Sequence, residues 1–167
     1  MIEVRSVLMA GMSANCYLVK GEGGFVLVDT ARPPALGRIE KAMLEAGCTP
    51  GKLRLIVLTH GDFDHTGNAA HLREKYGTSI GMHAGDAPMV EHGDMFAGRR
   101  SGSPLLKMVV NRSFGIRRFV PDVLLNDGDV PRVVAQQQVF PLAHLMLQSL
   151  HSRQQPSLVQ RLVNRIH

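Results

Sequence analysis

The chain reads as a layered α/β domain on three observations. Short apolar segments of strand character alternate with segments of helical spacing. One of those strands, Leu53 to Leu58, is almost continuously apolar, as a strand covered on both faces is. Composition agrees: 167 residues, 44% hydrophobic and 20% charged, suit one globular unit able to bury a core.

Ile2 to Val7 alternates apolar and polar residues and is predicted as a strand. Cys16 to Lys20 and Phe25 to Asp29 follow as a hairpin joined by Gly21-Glu22-Gly23-Gly24, and Pro33-Pro34 closes that region. From Ala35 to Ala46 the spacing of Leu36, Ile39, Met43 and Leu44 predicts a helix, stopped by Gly47. After the Leu53 to Leu58 strand, Asn68 to Tyr76 reads as a helix ended by Gly77, with Ala69, Leu72 and Tyr76 on its buried side. Ser79 to His83 is a further short strand. The segment Met89 to Phe119, with Met89, Met95, Phe96, Met108 and Phe114 among glycines and arginines, fits ordinary helix packing and an adaptable apolar pocket wall equally well.

Chemistry concentrates in Thr59-His60-Gly61-Asp62-Phe63-Asp64-His65-Thr66-Gly67-Asn68, directly after the apolar strand. His60, Asp62, Asp64 and His65 are imidazole and carboxylate donors, the groups that bind zinc and its first-row neighbours. Crowded together without a cation they would repel and desolvate one another. A strand ending at Thr59 delivers them to the rim of a sheet, and Gly61 and Gly67 give the loop backbone freedom. The competing reading, a solvated loop in which Asp64 or Thr66 caps the next helix, employs one residue and leaves three unexplained.

These residues resemble the signature of the metallo-β-lactamase superfamily, T-H-x-H-x-D-H-x-G. The flanking strands Asn15-Cys16-Tyr17-Leu18-Val19 and Gly24-Phe25-Val26-Leu27-Val28-Asp29-Thr30 resemble the family's framework over residues 1 to 130. The resemblance implies an αββα sandwich, with its N-terminal half complete and its C-terminal half incomplete. It implies that His60 and position 62 share one metal, that Asp64 and His65 share a second, and that Asp29 braces the loop without being a ligand. Position 62 departs from the pattern, since Asp stands where the family has His; a carboxylate there favours a harder metal or a more anionic site. The implied cofactor is one or two zinc ions, with manganese or iron(II) as alternatives. The implied activity is hydrolysis of an ester, thioester, amide or phosphodiester by a metal-bound hydroxide that Asp64 orients.

The family's second half supplies further ligands, and here the sequence diverges. Beyond Leu124-Leu125-Asn126-Asp127-Gly128-Asp129 the expected Gly-His turn is replaced by Val139-Phe140-Pro141-Leu142-Ala143-His144-Leu145-Met146-Leu147-Gln148-Ser149. From residue 136 onward there is no acidic residue and no glycine. Residues 131–167 are therefore read as a divergent tail that a frame slip or truncation has put in place of the second half, with Leu142 to Leu150 as an apolar helix. His144 is its weak candidate for the missing ligand. His83, at the end of its strand, is a lesser candidate, and His71 and His92 are read as surface or supporting groups.

Charge divides unevenly. Residues 1–98 carry nine Lys and Arg against eleven Asp and Glu; residues 99–167 carry ten against three. Arg99, Arg100, Lys107, Arg112, Arg117 and Arg118 could line a phosphate-rich groove, but no aromatics interleave to stack bases, so a solvated basic surface is favoured over nucleic acid. No window approaches the roughly 18 apolar residues of a membrane span, and the N-terminus lacks signal-peptide character, so a cytoplasmic protein acting on a small molecule is expected, an oligomer being compatible. Cys16 and Cys48 make no disulfide framework and are expected to be buried apolar side chains. Two readings follow: a metallo-hydrolase, or a noncatalytic metal-binding fragment of the same fold that lacks the second-half ligands and folds poorly alone or pairs with another chain.

Overall fold

A computed structural model describes residues 2–7, 15–97, 103–113 and 115–126. Its frame is one six-stranded sheet ordered β1-β2-β3-β4-β5-β6, formed by β1 (Glu3–Val7), β2 (Cys16–Gly21), β3 (Gly24–Val28), β4 (Leu53–Leu58), β5 (Ser79–His83) and β6 (Val123–Leu125). β1, β2 and β3 pair antiparallel, whereas β3 through β6 run parallel. The parallel half needs crossovers. These are made by α1 (Leu36–Glu45) between β3 and β4, and by α2 (Phe63–Thr66) and α3 (Ala69–Tyr76) between β4 and β5; α4 (Ala87–His92) and α5 (Pro104–Ser113) precede β6. A 3-10 turn, Pro33–Ala35, leads into α1.

The strands and helices expected from the sequence are present, with small shifts. Register pairs Gly21 with Gly24, so the hairpin turn shrinks to Glu22-Gly23. β3 stops at Val28, because Asp29 leaves the strand with φ +59°. Leu44, one of the four apolar residues whose spacing predicts α1, is 67% exposed; Ile39 and Met43 are buried in the core, with Leu36 and Ala42 partly buried against it. Leu36, Ile39 and Met43 form the stripe that faces the sheet, and Leu44 lies one position past it. Met89 and Met95 are buried, whereas Met108 is exposed on α5, none of whose residues is buried. Cys16 and Cys48 are buried free thiols, as expected.

The main core lies between the sheet and the crossover helices, where Leu27, Ile56, Leu58 and Met82 meet Ile39, Met43 and Leu72. This packing fixes the carboxyl ends of β3 and β4 side by side: Asp29 N–H donates to the Val57 carbonyl at 2.9 Å. Loops leaving neighbouring parallel strands at their carboxyl ends are where open α/β sheets place their sites. Among the described residues, no helix is long and apolar enough to cross a membrane. The tail after residue 130, with His144, lies outside the described residues, as do Arg99, Arg100 and Phe114.

Candidate metal centre

β4 ends at Leu58, and the chain turns at once through Thr59, His60 and Gly61 into α2. Gly61 allows that turn because α4 lies directly beneath it: a Cβ there would sit 2.7 Å from Sδ and 2.8 Å from Cβ of Met89. α2 carries Asp64 and His65 back over the sheet end. Its N-cap is Asp62, whose side chain makes no capping hydrogen bond. The loop's carboxylates are thus not employed as helix caps.

His60, Asp64 and His65 each offer a donor atom within 4.8 Å of the others, and all three side chains are half-buried. Donors held at roughly 2.0 to 2.2 Å from one tetrahedral zinc ion stand about 3.3 to 3.6 Å apart, so closing on an ion draws these side chains together by at most about 1.5 Å. The donor set of two imidazoles and a carboxylate suits zinc and its neighbours. Asp62 stands at the margin of the cluster, its Oδ2 3.4 Å from His60 Nε2. The two imidazole rings are tilted at 49°, with centroids 3.8 Å apart.

Asp29 and Thr59 decide which imidazole nitrogens face the cluster. Asp29 is 4% exposed, and its carboxylate accepts the Thr59 N–H at 2.9 Å, the Thr59 hydroxyl at 2.8 Å and His65 Nδ1 at 2.8 Å. A carboxylate only accepts, so His65 Nδ1 carries the proton. The single Thr59 hydroxyl proton is directed to Asp29. His60 Nδ1, 3.0 Å from the Thr59 oxygen, must therefore donate to it. With Nδ1 of each ring engaged in this way, Nε2 is the nitrogen left for a metal; without one, His60 Nε2 faces the Asp62 carboxylate at 3.4 Å.

The surrounding loops are stitched to this core. The Thr30 hydroxyl donates to the His65 carbonyl at 2.8 Å, and Asn68 Nδ2 donates to the carbonyls of Thr30 and Arg32 at 2.7 and 2.8 Å. Asp29 and Ala31 both have positive φ, 59° and 51°, a conformation L-residues avoid and that clusters at functional sites. Around His60, burial opposes protonation. The hydrogen bond to Asp62 and the fields of Asp29, Asp62 and Asp64 outweigh it, so its pKa lies above the ordinary imidazole value. The site as built favours a cation.

The resemblance assigned Asp29 its bracing position, and the structure supplies the bonds that make it one. Thr59 went unread as the link between Asp29 and both imidazoles; its place at the strand end, next to His60, is the signal that could have found it. Asn68 and Thr30 carry no signal beyond their polarity. His83 Nδ1 accepts the Gly85 N–H at 3.0 Å, and His83 is absent from the described cluster. His71 meets Glu40 at 3.3 Å and His92 the Pro88 carbonyl at 2.9 Å. Of the basic residues, Arg117 makes paired bonds of 2.6 and 2.8 Å to Glu74, and Lys107 lies over the Phe96 ring at 5.7 Å.

Comparison with known proteins follows the same lines. The metallo-β-lactamase superfamily model matches residues 9–145. A probable metallo-hydrolase of Bacillus subtilis (strain 168), YflN, is 28% identical over 127 residues, which are 71% of this chain and 48% of the relative. Among solved structures, the subclass B3 metallo-β-lactamase BJP-1 of Bradyrhizobium japonicum is 25% identical, with a TM-score of 0.59 over 71% of this chain and 41% of its own. MIM-1 of Novosphingobium pentaromativorans, also a metallo-β-lactamase, is 25% identical, with a TM-score of 0.61 over 72% and 41% respectively. The chain therefore spans less than half the length of these relatives.

Proposed function

This chain belongs to the metallo-β-lactamase superfamily, and on that premise we propose that it is a metal-dependent hydrolase whose ion is held by His60, Asp64 and His65, with Asp62 at its edge. The observation that carries this reading is the braced pair of imidazoles: Asp29 and Thr59 engage Nδ1 of His65 and of His60, and the two rings and Asp64 bring donor atoms within 4.8 Å of one another. Zinc suits the donor set, and manganese or iron(II) would also be accepted by it. Once bound, such an ion supplies Lewis-acid character and a water acidified toward neutral pH.

The protein's own groups then have distinct tasks. Asp29 and Thr59 hold the ring orientations. Asp64 presents a carboxylate that orients a water proton and acts as the catalytic group of the set. Met89, buried and packed against Gly61, forms the apolar floor of the loop. The substrate class is an ester, thioester, amide or phosphodiester small molecule. The β-lactam ring named by the relatives is not required by anything in this set of residues.

A second reading is favoured by one observation, the coverage of 48% of the curated relative and 41% of the solved ones. On it the chain binds a metal without turnover, because the relatives' remaining length is needed for catalysis. Metal analysis of the purified chain, with hydrolysis of p-nitrophenyl acetate and bis-p-nitrophenyl phosphate, separates the two. Near-stoichiometric metal and turnover lost in His60→Ala support the hydrolase. Metal without turnover supports the second reading, and a chain that binds none contradicts both.

A further inference from the structure

Asn68 stands at the start of α3, where an asparagine ordinarily caps the helix with its side chain. Here it does not: its φ of −109° and ψ of 2° depart from the extended geometry of a capping residue, and the side chain makes no capping bond. The residue is 3% exposed, and its amide is committed elsewhere. Nδ2 lies 2.7 Å from the Thr30 carbonyl oxygen, 2.8 Å from that of Arg32 and 3.4 Å from that of Ala31. Carbonyls only accept, so the NH2 and not the amide oxygen faces them. The two short bonds straddle Ala31, whose φ of 51° is one that an alanine avoids. Such a conformation persists only where its neighbours over-determine it.

The turn held in this way grips His65 at two points. Thr30 N–H and the Thr30 hydroxyl both donate to the His65 carbonyl, at 2.7 and 2.8 Å, and the hydroxyl oxygen accepts the Asn68 N–H at 3.3 Å. One residue earlier, the Asp29 carboxylate accepts from His65 Nδ1 at 2.8 Å. Backbone and ring of His65 are thus tied to adjacent residues, and both belong to the turn that Asn68 closes. Gly67 lets the two segments approach, since a Cβ there would meet the Ala31 carbonyl oxygen and Pro33 Cδ, each at 2.7 Å. We infer that Asn68 is a positioning residue of the metal centre: its amide holds the 29–32 turn in its positive-φ shape, and through Thr30 and Asp29 that turn sets the place of His65. The effect on an ion rests on the metal-site reading proposed above; the effect on His65 rests on the hydrogen bonds alone.

Asn68→Ser removes the amide and keeps a small polar side chain. Asn111→Ser is the matched control, because Asn111 Nδ2 donates to Asp94 at 2.8 Å and its Oδ1 accepts the Met95 N–H at 3.3 Å. Two readouts are taken on the full chain. One is the downfield proton NMR line of His65 Nδ1–H in the metal-free chain, assigned by its absence from His65→Ala; the other is calorimetric zinc titration. Asn68→Ser should lose the line and bind zinc about tenfold or more weakly, whereas Asn111→Ser, though less stable, should keep both. Survival of the line in Asn68→Ser, its absence from the unaltered chain, a smaller loss of zinc affinity, or the same losses in Asn111→Ser overturns the inference. An unaltered chain that binds no zinc sinks the metal-site reading, and the His65 line alone then decides on Asn68. Should Asn68→Ser fail to fold, hydrogen exchange in the unaltered chain decides. His65 Nδ1–H and Asn68 Nδ2–H protected equally within about fivefold, relative to the free amino acids, form one unit that opens together and support the inference; a larger difference overturns it.

Discussion

Replacing Asp29 by Asn removes one charge and almost no volume, and asparagine tolerates the positive φ of 59° that this position requires. The amide oxygen, placed where Oδ1 stands, still accepts the Thr59 N–H at 2.9 Å. Its NH2 then takes the place of Oδ2 and faces His65 Nδ1, 2.8 Å away, donor against donor. The clash is relieved only if His65 moves its proton to Nε2, which withdraws a lone pair from the metal cluster, or if the ring turns away. Losing a hydrogen bond to a charged group costs about 1.5 to 3 kcal/mol. Loss of a group that orients a metal-binding histidine typically weakens the metal by about 10- to 100-fold. Asp122→Asn is the matched control: Asp122 accepts the Ile80 N–H at 2.8 Å on the far side of β5 and touches no metal donor. Calorimetric zinc titration and urea unfolding of both variants form the assay. Asp29→Asn should lose stability and affinity together, and Asp122→Asn stability alone. Unchanged zinc affinity in Asp29→Asn would refute the reasoning about which nitrogen carries the proton.

Other expectations follow from the packing. A Cβ on Gly67 would lie 2.7 Å from the Ala31 carbonyl oxygen and 2.8 Å from that of Phe63, so Gly67→Ala should cost about 1 to 3 kcal/mol in thermal unfolding; Gly37→Ala, with open space around it, should be neutral or gain up to about 0.5 kcal/mol. Ile39→Ala, in the main core, should cost about 2 to 5 kcal/mol, and Leu44→Ala, on the exposed side of the same helix, less than about 0.5 kcal/mol. Burial, aided by the field of Asp29, pushes the Cys16 thiol from 9.0 to about 12, and burial pushes Cys48 to about 11. Neither should react with Ellman's reagent at pH 8 until the chain is unfolded. The unfolded chain releases these protons near pH 9 and the folded chain holds them, so this contribution to stability is intact below pH 9 and lost as pH rises from there toward 12. Chelation should lower the unfolding temperature of metal-loaded protein, since a ligand at 100 times its Kd contributes about 2.7 kcal/mol.

The frame was legible because its signals are local. The apolar run Leu53 to Leu58, the hairpin glycines and the glycine stops at 47 and 77 each act within a few residues. The donors at 60, 64 and 65 were legible for the same reason, being adjacent in sequence as well as in space. What escaped was long-range. Thr59 matters because Asp29, thirty residues earlier, ends the neighbouring parallel strand, and parallel pairing leaves no trace in local sequence. Asn68 reaches back to Thr30 and Arg32 across the same seam. Leu44 shares the helical spacing of Leu36, Ile39 and Met43 and is nonetheless exposed, because spacing alone does not say how wide a stripe the sheet can receive. α2 was unread because Phe63–Thr66 is a single turn, too short for periodicity to show.

Cobalt titration of the metal-free chain, followed by visible absorption, puts the convergence of His60, Asp64 and His65 to the test. One equivalent should saturate a d–d band in the unaltered chain, and the band should vanish in His60→Ala and His65→Ala while circular dichroism stays the same. A band that persists in both variants, or none in the unaltered chain, would contradict the account.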